Sequence, residues 1–433
     1  MKKFNFTTIK KYSFHLFISL SIFIFIQPSM AGVKNYLQKP DSLFNSYKGI
    51  VTDITSREKL PYASLTVEST NISTVTNADG EFLLKVPKTD TDRMLVITFL
   101  GYGSRRISLT SMLPEGNKIE LKSLPIFLPE LKVISKDPES VIQKMLENRY
   151  KNYSDKDMIM NAFYRETIRK RNTNVSLSEA IVEVYKQSYG NNLPDMAALY
   201  KSRKSTDYSK LDTLVYKLMG GPFNSLYLDV MKYPDFIFTS SIFSNYNFKF
   251  LQTDRIDERL IYVIGFEQQK NVLEPLFYGK LYIDAQSFAL VRADFDMNLT
   301  DNEEATKLFI RKKPYNAVVN TTKAHYQIEY RLSDDMWYYA YSRVDLNMKI
   351  NWKKKLFNTY YNSTIEMAAT DWFDDVNKKV FKMKDRINPN VVIQDAVKGF
   401  SETEFWGEYN IIEPDKSIEN AINKIQKKLK KQD

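Results

Sequence analysis

The chain has 433 residues, a formal charge of +10, no cysteine, and only two histidines, His15 and His325. The missing thiols exclude disulfides, a thiolate nucleophile, a zinc–thiolate centre, a c-type haem and the lipidated cysteine of a bacterial lipoprotein. The length predicts two or more domains with a sizeable core, and the moderate charge excess gives no footprint of a nucleic-acid partner.

Residues 1–31 have the three parts of a secretory signal: Lys2, Lys3, Lys10 and Lys11, then an apolar run from Phe14 to Ile26, then Ser29-Met-Ala31. Cleavage is expected after Ala31. The apolar run falls short of the ~20 residues that span a bilayer. An exported protein of the periplasm or outer membrane is therefore expected, and residues 32–46 read as an N-terminal linker.

From Tyr47 short β-rich runs alternate with turn formers, at Gly49–Asp53, Ala63–Glu68, Ser73–Thr76, Glu81–Val86, Leu95–Phe99 and Arg106–Leu109. Asn77-Ala-Asp-Gly80 tolerates positive φ and predicts a reversal that pairs Thr74–Thr76 with Phe82–Leu84. Pro61 and Pro87 stop strands. Residues 47–123 are expected to close as a small β-sandwich.

Gly49-Ile-Val-Thr-Asp53, Leu60-Pro-Tyr-Ala63, Thr76-Asn-Ala-Asp-Gly80-Glu-Phe82 and Gly101-Tyr102 resemble the carboxypeptidase regulatory-like domain, a transthyretin-like sandwich found at the N-terminus of many Bacteroidetes envelope proteins. The resemblance implies an accessory module without catalytic residues. A metallocarboxypeptidase zinc site needs more than one histidine, and beyond the signal only His325 is present.

Residues 124–158 read as a linker and helix. Pro125 and Pro129 stiffen the connector, Leu131-Lys-Val-Ile134 reads as a short strand, and Asp137-Pro138 starts a helix whose Val141, Ile142, Met145 and Leu146 share one face. Residues 159–400 are then β-rich. Val291, Ala293, Phe295 and Met297 alternate with Arg292, Asp294 and Asp296, while Tyr326, Ile328, Tyr330 and Leu332 alternate with His325, Gln327, Glu329 and Arg331. This period of two predicts an antiparallel sheet with one apolar and one wet face. Leu281-Tyr-Ile-Asp284 leads into a turn, and Gly220-Gly221-Pro222 reads as a turn or hinge.

Trp337-Tyr-Tyr-Ala-Tyr341, Phe223-Asn-Ser-Leu-Tyr227 and Phe236-Ile-Phe238 are read as core rings, with a groove for an apolar or sugar ligand as the other reading. An outer-membrane barrel is disfavoured by charge on both faces at Lys201-Ser-Arg203-Lys-Ser and by the chain's end. Residues 401–433 form a C-terminal segment with a basic amphipathic helix (Ile418, Ala421, Ile422, Ile425, Leu429) ending in Lys427-Lys-Leu-Lys-Lys431. This helix and the Lys353-Lys-Lys355 cluster are solvated charge or, for the helix, a peripheral membrane contact.

Asn161-Ala-Phe-Tyr-Arg-Glu166, Val175-Ser-Leu-Ser-Glu-Ala180, Tyr278-Gly-Lys-Leu-Tyr-Ile-Asp284 and Phe405-Trp-Gly-Glu-Tyr-Asn-Ile-Ile-Glu-Pro414 resemble secreted Bacteroidetes proteins with this sandwich and a β-rich region. The strand, Asp turn, strand units are similar to the half-barrels of periplasmic lipoprotein and lipid carriers.

For acid–base chemistry, Asp294 and Asp296 share a face ~6.5–7 Å apart, within the glycosidase range. Glu303-Glu304 and Asp334-Asp335 are adjacent and diverge if extended. Asp90-Thr-Asp92 lacks the form of a calcium loop, and Gly101-Tyr-Gly-Ser104 is not a nucleophile elbow. No catalytic, metal or cofactor residue is assigned. The expected protein is mainly β, a sandwich plus a large curved antiparallel sheet with a few flanking helices. Its expected role is a non-enzymatic envelope binding or assembly module whose partner is another envelope protein or an apolar ligand. The alternatives are a carrier of a lipid or other apolar molecule in a half-barrel, and a carboxylate-dependent hydrolase.

Overall fold

Asn77-Ala-Asp-Gly80 turns the chain, but the turn does not close a hairpin. The computed structural model of the chain describes residues 43–125, 137–171, 173–206, 217–218, 220–238, 243–272, 274–313, 315–353, 356–374, 383–397 and 405–429. The signal reading of residues 1–31 and the strand expected at Leu131–Ile134 lie outside them, as do Pro129, Lys354, Lys355, Lys430 and Lys431.

Seven strands come first: β1 (Phe44–Asp53), β2 (Ser64–Val67), β3 (Ser73–Val75), β4 (Glu81–Pro87), β5 (Met94–Thr98), β6 (Arg105–Ser108) and β7 (Asn117–Leu121). They form two sheets, ordered β4-β1-β7 and β3-β2-β5-β6, around Val51, Leu65, Leu84, Leu95 and Ile97. β3 pairs with β2 and β4 with β1, so the expected pairing of Thr74–Thr76 with Phe82–Leu84 is replaced by a crossing between sheets. Side-chain bonds explain the change. Thr76 Oγ1 accepts from the Ala63 N–H at 2.8 Å and donates to the Leu60 carbonyl at 2.6 Å, which ends β3 against residues 60–63. Asn77 Oδ1 then accepts from the Asp79 and Glu81 N–H groups, each at 2.9 Å, and Gly80 sits at φ 72°, where the left-handed backbone suits glycine.

The next strands are β8 (Met158–Lys170), β9 (Thr173–Lys186), β10 (Met196–Thr206), β11 (Lys217–Leu218), β12 (Tyr246–Ile256), β13 (Arg259–Gln268), β14 (Phe277–Asp284), β15 (Leu290–Met297), β16 (Ile310–Lys312), β17 (Ala317–Ser333), β18 (Met336–Trp352) and β19 (Thr359–Phe373). β11 pairs with β16 alone. The other ten form one antiparallel sheet, ordered β10-β9-β8-β19-β18-β17-β15-β14-β13-β12. Among the described residues no ladder joins β10 to β12, so the sheet is open. Bulges at Leu199/Lys201, Phe250/Gln252, Tyr282/Ile283 and Ala369/Asp371 bend it. Two-residue alternation does what it predicts. Val291, Ala293, Phe295 and Met297 enter the core, and Arg292, Asp294 and Asp296 take the other face. The turn after β14 is made by Asp284, whose carboxylate accepts from the Gln286 N–H at 3.1 Å and the Ser287 N–H at 2.7 Å.

Among the described residues, two segments supply much of the cover over the apolar face, and Ile393 and Val397 join the same core. α1 (Pro138–Glu147) begins where Asp137 accepts from the Ser140 N–H at 3.1 Å, and it buries Val141, Ile142 and Met145 before α2 (Arg149–Asn152). The second cover enters through Gly220 and Gly221, at φ 110° and 51°, and turns at Pro222 into α3 (Pro222–Leu226). Phe223, Leu226, Met231 and Ile237 of this cover are buried in the main core.

Short α4 (Asn302–Lys307) contains Glu303 and Glu304, which are helical rather than extended and reach Lys307 at 3.6 and 2.6 Å. After α5 (Ile393–Ala396), residues 405–412 pack on the face of the sheet opposite the covers, where Trp406 meets Phe163 edge-on with ring centroids 5.4 Å apart. α6 (Lys416–Leu429) follows, with Ile418 and Ile422 against Leu177. The apolar residues of its first two turns therefore face the protein. Leu43–Asp433 cluster as one compact unit.

Candidate functional site

The sandwich meets the large sheet at two separate places. On one side Ser73 Oγ donates to the Ala369 carbonyl at 3.0 Å and Asn71 Nδ2 to the Trp372 carbonyl at 2.8 Å, tying β3 and the loop before it to β19. On the other side the Gly101 N–H donates to the Arg255 carbonyl at 2.9 Å and the Ser104 N–H to the Asp257 carboxylate, fixing the loop before β6 to the β12–β13 hairpin. Gly101 needs its freedom here, since it sits at φ 84° with Asp254 close by. An arch results. Beneath it is a cavity of about 1670 Å³, roofed by β2 and β5 (Ser64, Thr66, Thr98) and floored by Arg292, Glu329, Arg331, Trp337 and Ala340.

The floor is charged. Arg292 bonds Glu329 at 3.1 Å and Asp294 at 2.9 Å, and Arg259 reaches Asp284 at 3.3 Å. Burial pushes the Glu329 carboxyl up, although Arg292 and a 2.8 Å bond from Gln327 pull the other way. Arg331 is different. It is 8% exposed, its Nε has no hydrogen-bond partner, and no carboxylate of the described residues lies within ion-pair distance of it. Burial pushes its guanidinium down to about 10. The opposing pull comes from Asp371 and Tyr338, and burial raises Asp371 itself to about 6.

The acids weighed for catalysis lie elsewhere. Asp294 and Asp296 both face His325, at 3.6 Å from Nε2 and 3.3 Å from Nδ1, and neither lines the cavity. Of Asp334 and Asp335, which form the β17–β18 turn at φ 47° and 62°, only Asp334 lines it. Among the described residues no three His, Asp or Glu side chains converge as a metal site.

The wet face of the sheet is also more buried than alternation implies. Arg165 and Arg203 hold Glu179 between them at 2.8 and 2.6 Å, with Arg203 at 5% exposure, so this part of Lys201–Ser205 is interior. Burial pushes the Glu179 carboxyl up, but the two guanidiniums outweigh it and hold it below its usual range. The aromatic strands are packed core. Phe295 stacks on Tyr326 at 5.2 Å and meets Phe277 edge-on at 5.4 Å.

Residues 47–129 match the family model described as the CarboxypepD_reg-like domain. The match covers the N-terminal sandwich. The rest of the chain lies outside that model, and no curated protein matches the sequence. Solved structures similar to this chain include a LolA superfamily protein from Nitrosomonas europaea, with 9% identity over 55% of this chain and 94% of that one and a TM-score of 0.22. Another is a DUF1329 family protein from Desulfovibrio piger, with 11% identity over 56% and 95% and a TM-score of 0.23. At these scores the likeness says nothing of what this chain binds.

Alternation places Arg331 on a wet strand face. No local signal could put a roof over it, because the roof comes from residues more than two hundred positions earlier.

Proposed function

We propose that the protein is a non-enzymatic binding module of the cell envelope, holding a ligand under the arch between the sandwich and the sheet. The division into a sandwich (47–123), a connector (124–158), a β-rich domain (159–400) and a C-terminal segment (401–433) belongs to the same reading. The carrying observation is the cavity itself, polar on its roof and charged on its floor, beside an apolar sheet face whose own covers fill it. Its volume exceeds the ~300–1,000 Å³ usual for small-molecule sites, which suits an extended ligand or a partner's loop. The secretory-signal pattern of residues 1–31 supports the envelope setting, and among the described residues no helix is long and apolar enough to cross a membrane.

The test is native mass spectrometry of the mature protein, taken without detergent from its own envelope fraction and compared with Thr66→Trp, which fills the roof. An adduct lost on Thr66→Trp supports this reading, and one retained there refutes the site.

A second reading, the carrier of a lipid or other apolar molecule, is favoured by one feature. Among the described residues the ring-rich face of the sheet is covered by short segments, one of them entered through a paired-glycine turn. An adduct of lipid mass that persists in Thr66→Trp selects it.

A further inference from the structure

Burying a guanidinium without a counter-charge is costly, and proteins seldom leave one so. Around this cavity three other arginines follow that rule. Arg259 has Asp284, Arg292 has Asp294 and Glu329, and Arg106 has Glu68 at 3.4 Å. Arg331 breaks it, being more than nine-tenths buried, lining the cavity and lacking any ion pair among the described residues. Its nearest acid in charge terms, Asp371, makes no ion pair with it and instead accepts the Trp372 N–H at 2.8 Å. The cavity gives a counter-charge a route to Arg331.

We propose that Arg331 is the anchor of an oxyanion site, taking a carboxylate or a phosphate borne on an otherwise neutral, hydroxyl-rich molecule. This rests on the cavity being a ligand site, as proposed above. The planar fork of arginine matches both oxyanions bidentately. The remainder of the cavity restricts what the oxyanion can be attached to. Asp257, Glu258, Asp284, Glu329 and Asp334 also line it, and the ion pairs of Arg106, Arg259 and Arg292 already occupy those guanidiniums, which disfavours a polyanion. Ser64, Thr66 and Thr98 on the roof offer hydroxyls to a polar, uncharged body.

The experiment is calorimetric titration of the mature chain with three probes: gluconate, inorganic phosphate, and sorbitol as the neutral counterpart of gluconate. It is repeated on Arg331→Gln and Arg331→Lys, with thermal melts of all three proteins. Wild type is expected to bind gluconate or phosphate at least tenfold more tightly than sorbitol; which one identifies the oxyanion. Arg331→Gln should lose that preference, while Arg331→Lys should keep part of it. Without ligand Arg331→Gln should melt no lower than wild type, because an uncompensated buried charge has been removed; a clearly lower melt assigns Arg331 a structural role and overturns the proposal. Sorbitol binding as tightly as gluconate overturns the oxyanion while leaving the cavity a ligand site. Failure of all three probes at roughly 10 mM, well above ordinary millimolar affinities, overturns both.

Discussion

Asp229→Asn is the perturbation with the most to say about the cover over the apolar face. Asp229 is fully buried on the second cover segment and gathers donors from the sheet and from its own loop. Lys186 Nζ lies 2.7 Å away, the Tyr189 and Tyr330 hydroxyls donate at 2.7 and 2.8 Å, and the Lys232 N–H donates at 3.2 Å. Burial would lower Lys186, yet Asp195 and Asp229 together raise it above its ordinary value. Asparagine keeps the shape and removes the charge, leaving Lys186 with Asp195 alone at 2.7 Å and turning one acceptor into a donor that faces hydroxyls. Breaking one partner of a buried ion pair costs ~3–5 kcal/mol, a large share of a typical ~5–15 kcal/mol stability. The assays are urea denaturation at pH 7 and hydrogen exchange of peptides covering residues 220–238. The unfolding free energy should fall by that amount, and if the loss appears as local opening, exchange in the cover should rise by ~10²–10⁴-fold. A loss below about 1 kcal/mol with unchanged cover exchange would refute the idea that Asp229 holds the cover to the sheet.

Glu179→Gln should destabilise by ~3–5 kcal/mol, because Arg165 and Arg203 stay buried without their shared carboxylate; adding Arg203→Met should recover part of the loss, and strict additivity in that cycle would count against the triad. Asp371, raised by burial from 3.8 to about 6, makes the folded state hold a proton that the unfolded chain has released. Its contribution to stability is present below about pH 4 and lost as pH rises through about 6, a swing of roughly 3 kcal/mol. Asp371→Asn, which can still accept the Trp372 N–H, should flatten that part of the stability profile and stabilise the protein at pH 7. An unchanged profile would show that Asp371 stays ionised when folded.

Local chemistry makes several parts of this protein legible in the order of its residues. Asp137-Pro138 predicts a helix start because a carboxylate cap and a fixed proline φ act over one turn. The alternation around Val291–Met297 and Tyr326–Leu332 predicts strands because side chains in a strand must point to opposite faces. The absence of cysteine removes whole classes of chemistry without reference to any fold. Where partners come from far along the chain, the same local rules mislead. Asn77–Gly80 has the composition of a hairpin turn, yet Thr76 engages Leu60 and Ala63 and sends β4 into the other sheet. Glu303 and Glu304 would diverge in an extended chain, yet they are helical and both reach Lys307. Arg203 and Arg331 sit at positions that alternation marks as wet, and both are buried. The sandwich and residues 405–412 cover that face, and no periodicity within a strand encodes what is later laid on it. Sequence alone therefore determined the mainly β character, the sandwich and the faces of the strands, which depend on backbone geometry and near neighbours. Tertiary structure alone decided the open ten-stranded order, the arch and the buried Arg331, because each depends on contacts between segments tens to hundreds of residues apart.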